Sequence, residues 1–324
     1  MVEKVDRLKA NQKIKSVPKK PTTMKIKVLA GLSAAFIVIG LLNVHAQNLN
    51  GTVNSGFYGS PLAVQTINTG FGNAGGVDSG GGSELDAAYG KISGGNLYLF
   101  LAGNVENNGN YLNVFIAGGA AGGQNVLNAP ATASLQAMNG SVFSPGFNAT
   151  FAFDENDSGG TLYSEEYNLV ANTGGYVGAL GNTSTGIYAG SDGGTMGLYV
   201  NNNHVSTMGT ANAALSGATS GAATTTGYEL VIPLSDIGYT GGSINVLAVI
   251  NGSSEGYMSN QLLPGLPVGT SNLGGGGPYS AVGGKGFNFA NTPGEYFTVV
   301  PEPSTLALLG VSGLTTLLGF RRRN

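Results

Sequence analysis

The residues best equipped for chemistry lie in the stretch DENDSGGTLYSE. Asp154, Asn156, Ser158, Gly159 and Glu165 stand at positions 1, 3, 5, 6 and 12 of a calcium-loop pattern. In such a loop, oxygens converge on a hard cation and a glycine permits the bend. FNATFAF before the stretch alternates like a strand, and EYNLVAN after it has no helical period, which argues against an ordinary helix–loop–helix site. Two readings stay open: a hairpin loop that takes calcium through Asp154, Asn156, Ser158 and Glu165, or a solvated acidic turn. Glu155, Asp157 and Glu166 add negative potential to either.

A second constellation is GYMSNQLLPGLPVG. Tyr257, Asn260 and Gln261 offer an aromatic face and two amides, the equipment of a glycan-binding site. The same amides could instead staple a loop to a sheet edge by bonding backbone groups. Tyr239, Tyr279 and Tyr296 are further aromatic candidates, read mainly as packing residues.

Catalytic arrangements are not expected. His45 falls in the leader described below, which leaves His204 in NNNHVST, and no Gly-x-Ser-x-Gly turn leads into a helix. Glycoside hydrolysis needs two carboxylates opposed across a sugar. The pairs Glu84 with Asp86 and Glu165 with Glu166 are near neighbours in sequence, which does not place them opposed across a sugar. Cysteine is absent, so thiolate metal sites and disulfides are excluded.

The elements that must position these residues read as strands. The body carries short apolar or aromatic runs at 97–101, 112–116, 147–153, 196–200, 228–232, 243–250 and 295–299, bounded by Gly and Asn turns. One helical turn is expected after Pro233, capped by Ser235 and Asp236. Many short strands without a sustained 3.6-residue period predict an all-β fold, an antiparallel sandwich of jelly-roll type. Residues 84–300 form this domain. Residues 47–83, ending in GNAGGVDSGGGS, are a Gly-rich segment with room for one edge strand.

Charge is distributed unevenly. Of 14 Lys and Arg, nine lie between Lys4 and Lys27 and three are Arg321, Arg322 and Arg323. Only Lys91 and Lys285 remain against 14 acidic residues over 47–300, a formal charge of −12. Phosphate backbones would be repelled by such a body, which excludes nucleic acid as a partner.

Both ends read as addresses. Lys25 and Lys27 precede the apolar run 28–42 and the small-residue site Val44-His45-Ala46, so a signal helix in residues 1–46 is expected to be cut by signal peptidase between Ala46 and Gln47. Residues 1–23 are a basic extension, or an overlong start before Met24. At the other end, Pro301-Glu302-Pro303 is followed by 15 uncharged residues, 306–320, and then by Arg321, Arg322 and Arg323. The run is short for a permanent span, and its basic end fits retention on the cytoplasmic side.

This tail, residues 301–324, resembles the PEP-CTERM sorting signal of Gram-negative bacteria. The resemblance implies a short transmembrane helix, transient inner-membrane anchoring, processing by an exosortase near Pro301, Glu302 and Pro303, and delivery to the cell surface or extracellular matrix. The body, through ELDAAYGKI, NLYLFLAGNVE, NVFIA, YELVIPLSDIG, INVLAVING and YMSNQLLPG, is similar to family 9 carbohydrate-binding modules and DOMON-like domains. That similarity implies a sandwich and a glycan ligand class, although the tryptophan usual in sugar platforms is missing. The function expected is an exported, noncatalytic surface or matrix component. The alternatives are a carbohydrate-binding module for an extracellular polysaccharide and a secreted polysaccharide-active enzyme.

Overall fold

The computed structural model describes residues 47–302, apart from 68, 70, 72–81, 132, 182–186, 192–195, 202–220, 276–285 and 292–293. Ala46, Pro303, Arg321, Arg322, Arg323, His204, Tyr279 and both expected terminal helices fall outside the described residues. Among the described residues no helix is long and apolar enough to cross a membrane.

The described residues form thirteen strands and almost no helix. They are β1 (Ala63–Val64), β2 (Glu84–Ser93), β3 (Asn96–Asn104), β4 (Asn108–Ala117), β5 (Phe151–Ser158), β6 (Thr161–Asn168) and β7 (Thr173–Gly181). The rest are β8 (Ile187–Ser191), β9 (Gly197–Asn201), β10 (Gly227–Pro233), β11 (Ile244–Asn251), β12 (Met258–Leu263) and β13 (Phe297–Val299). One sheet runs β1-β2-β3-β10-β9-β8; the other runs β12-β11-β4-β5-β6-β7, with β13 also paired to β11. All strand pairings are antiparallel.

Leu97, Leu99 and Leu101 of β3 meet Leu112, Val114 and Ile116 of β4 and Val246, Ala248 and Ile250 of β11 in the core between the sheets. Full burial of each large aliphatic side chain contributes about 1.5–3 kcal/mol. The outer faces are covered as well. Over the larger sheet, Phe115 and Leu247 pack under Leu135, Met138, Phe143 and Phe147 from the long β4–β5 connection. Over the smaller sheet, Phe100, Tyr89 and Tyr98 pack with Tyr58 from a helical turn at Ser55–Tyr58. Strands covered on both sides carry near-continuous apolar runs rather than alternation, which is why NLYLFLA is buried at nearly every position.

Two expected elements differ. The strand placed at 147–153 begins at Phe151 and continues through Asp154, Glu155, Asn156 and Asp157. After Pro233 the chain makes a turn rather than a helix: Asp236 N donates to Pro233 O, and Ser235 Oγ bonds the Asp236 carboxylate instead of capping backbone. Residues 47–67 are packed against the domain, with Tyr58 and Ile67 buried and β1 at the sheet edge.

Candidate functional site

The acidic stretch is strand, not loop. The tight turn falls at Gly159 and Gly160, whose φ of 61° and 84° suits glycine. Asp154 therefore stands directly opposite Glu165, Asn156 opposite Tyr163 and Ser158 opposite Thr161. The four residues expected to wrap a cation are spread along two strands. Asn156 Nδ2 donates to the Gly109 and Asn110 carbonyls, and Ser158 is exposed. Among the described residues, no three His, Asp or Glu are grouped so as to hold a metal ion. The physical reason is pairing: Asp154, Glu155, Asn156 and Asp157 each meet a partner from another strand, so the strand continues where a loop was expected.

Strand alternation divides the carboxyls between the two faces. On the outer face, Asn113 Nδ2 donates to Asp154 Oδ1 at 2.8 Å. Glu165 accepts from Ser134 Oγ at 2.7 Å and from the Tyr167 hydroxyl. Glu255, from the β11–β12 loop, is 1% exposed and neither of its carboxyl oxygens has a hydrogen-bond partner. Its backbone is fixed at φ 54°, with Asn251 Nδ2 donating to its carbonyl. Burial pushes Glu255 up to about 10, and the charges of Asp154 and Glu165 push the same way. Burial also raises Asp154 well above the carboxylate range, against the opposing Asn113 bond. On the inner face, Asp157 accepts from the Tyr188 hydroxyl at 2.8 Å and Glu155 from Ser164 Oγ at 2.7 Å.

The smaller sheet carries a second acidic pair. Glu84 and Asp86 are both fully buried. Burial, with the neighbouring Asp86 adding to it, holds Glu84 at about 10. Burial raises Asp86 to about 7, opposed by the hydrogen bond that Thr224 Oγ1 donates to it at 2.8 Å. Lys91 is the sole Lys or Arg among the described residues, so protons rather than cationic side chains neutralise these buried groups. What the arrangement does chemically is store protons as neutral carboxylic acids. The sequence shows Glu84 and Asp86 close together in β2 but not their burial, and Asp154 meets Glu165 only across the β5–β6 ladder.

The expected glycan set does not converge. Asn260 and Gln261 are successive residues of β12 at an irregularity in its pairing with β11, and both are buried. Asn260 Nδ2 donates to Thr270 O at 3.0 Å, Gln261 Nε2 to Asn260 Oδ1 at 3.0 Å, and Leu85 N to Gln261 Oε1 at 3.3 Å. Both amides are buried staples. Tyr257 is 47% exposed and stacks on Phe71, with ring centroids 5.9 Å apart. Tyr296 packs on Phe147, and Tyr239 caps the Gly242 carbonyl. A different aromatic pair is open to solvent: Tyr163 on β6, 42% exposed, and Tyr176 on the edge strand β7, 63% exposed. Tyr176 faces Glu165, two residues from Tyr163 on the same side of β6, which places both tyrosines on one face of the hairpin. Exposed tyrosines on an edge hairpin were the available signal.

The tail begins where the fold ends. Val299, the last residue of β13, pairs with Ile244, and Pro301 and Glu302 follow at the surface. Fold and tail together define an all-β sandwich joined without a linker to a C-terminal address. The family model of the PEP-CTERM protein-sorting motif matches residues 299–323. The protein therefore carries a PEP-CTERM sorting signal, which marks it for exosortase processing and export toward the cell surface. No curated protein and no solved structure matches the chain, so the likeness to family 9 carbohydrate-binding modules and DOMON-like domains gains no support from them.

Proposed function

We propose that the protein is a noncatalytic structural component of the cell surface or extracellular matrix, cleaved from a transient inner-membrane anchor by exosortase. The sorting motif carries the destination. The fate of the carboxyls supports the noncatalytic part: of the 12 acidic residues described over 47–300, eight are buried (Glu84, Asp86, Asp154, Glu155, Asp157, Glu229, Glu255 and Glu295). A carboxyl pair that works on a polymer must reach solvent, and these are enclosed in the sandwich instead. The test is localisation in the native host of the full chain and of a chain lacking residues 301–324. Accumulation of the full chain at the surface or in the matrix, and its loss on truncation, is the expected result. Equal distribution of the two would overturn the reading.

A second reading, a module that binds an extracellular polysaccharide, is favoured by Tyr163 and Tyr176. Two exposed rings on one sheet face present apolar surfaces on which sugar rings stack.

A further inference from the structure

The body of the protein has two basic residues, and one of them touches the sorting motif. Lys91 Nζ lies 2.8 Å from Glu302 Oε1. The same ammonium donates to the Phe57 carbonyl at 3.2 Å and sits 4.6 Å above the centre of the Phe57 ring. Lys91 is 20% exposed against 64% for Glu302, so the lysine is the fixed partner and the glutamate the one that can leave. The end of β13 packs closely on the adjoining residue of β2: a Cβ on Gly90 would lie 2.6 Å from Val299 Cγ2. From Val299 to Glu302 the chain spans three residues, at most about 11 Å when extended. No other Lys or Arg stands among the described residues to compete for this carboxylate.

We infer that Lys91 is a positioning residue for sorting: it docks the motif glutamate Glu302 on the folded sandwich, and the processing enzyme gains the motif only when this contact opens. The inference rests on the exosortase reading of the tail. Removing the ammonium speeds processing by the population it had withheld, about threefold to tenfold for an exposed ion pair reinforced by an aromatic ring.

The experiment follows conversion of the full-length precursor to the cleaved form in isolated membranes that contain the exosortase. Wild type is compared with Lys91→Met, which keeps the apolar stem on Phe57, and with Lys91→Arg, which keeps the charge. Lys91→Met is expected to be cleaved faster and Lys91→Arg at the wild-type rate, with both variants keeping the folded sandwich by circular dichroism. Raising salt from about 0.1 M to about 1 M screens the exposed pair, so the wild-type rate rises toward that of Lys91→Met while the variant stays flat. A merely structural lysine would not produce that convergence. Equal rates for wild type and Lys91→Met at low salt, or slower cleavage of the variant, overturn the docking role alone. No cleavage of any of the three overturns the exosortase reading, and the docking role with it.

Discussion

The Tyr58 hydroxyl donates to Glu229 Oε1 at 3.0 Å across 171 residues of sequence. The same carboxylate accepts from Gln47 Nε2 at 2.8 Å, Asn50 N at 2.8 Å and Gly51 N at 3.0 Å. One side chain of β10 thus gathers the whole entry segment onto the outer face of the smaller sheet. Charge-assisted bonds of this kind are about twice as strong as neutral ones. Glu229→Ala is expected to cost about 3 kcal/mol, and Tyr58→Phe about 1 kcal/mol. Urea unfolding reads both, and hydrogen exchange should show residues 47–58 losing protection first in Glu229→Ala. Unchanged exchange there would show that the segment is held by its aromatic packing alone.

Stability should fall as pH rises. Glu84 and Glu255 keep their protons to about 10 and Asp86 to about 7 in the folded protein, whereas the unfolded chain loses them near 4. The folded state binds more protons between those limits, so its advantage is complete below about pH 4. It then shrinks by about 1.4 kcal/mol per pH unit for each proton retained. The urea midpoint at pH 5 is expected to exceed that at pH 8, and Glu84→Gln with Glu255→Gln should flatten the slope. A midpoint that rises with pH would mean these groups are ionised in the native protein.

The legible parts of the fold were those whose side chains settle their own environment. The runs at 97–101 and 112–116 are apolar without interruption, and such runs bounded by Gly and Asn have few places to go but a doubly covered sheet. The Pro-Glu-Pro tail was readable because an address is linear. The acidic strand was not: Asp154, Glu155 and Asp157 are the residue types least often buried, and Asn113, Ser164 and Tyr188, which admit them, lie up to 41 residues away. β7 was invisible for the opposite reason. Its five outermost residues read Thr-Gly-Gly-Tyr-Val, too glycine-rich for strand propensity, and it forms because its backbone completes the ladder with β6.

Strand crowding makes one glycine decisive. A Cβ on Gly227 would lie 2.1 Å from the Leu101 carbonyl oxygen and 2.8 Å from Ala102 Cα, backbone atoms of the paired strand β3 that cannot rotate away. A Cβ on Gly197 of β9 would meet only Leu49 Cδ1 at 3.5 Å and Val231 Cβ at 3.7 Å. Gly227→Ala is expected to destabilise by about 2–3 kcal/mol, and Gly197→Ala by less than about 0.5 kcal/mol. Thermal unfolding of the two variants side by side tests whether the β3–β10 junction is as rigid as its register requires.

If the sandwich holds a polysaccharide, the hold should lie on the β6–β7 hairpin. Tyr163 and Tyr176 are exposed on one face, whereas Tyr257 already spends one side of its ring on Phe71 and its neighbours Asn260 and Gln261 have committed their amides. A ring that stacks on sugar contributes about 1 kcal/mol, or roughly fivefold in affinity. Retention of the exported protein on matrix polysaccharide is therefore expected to weaken about fivefold in Tyr163→Ala and in Tyr176→Ala, and by their product in the double variant. Tyr257→Ala should bind like wild type. Loss of retention in Tyr257→Ala alone would move the platform to the β11–β12 loop. Retention unaffected by all three would leave the protein a structural component whose faces are closed by its own side chains.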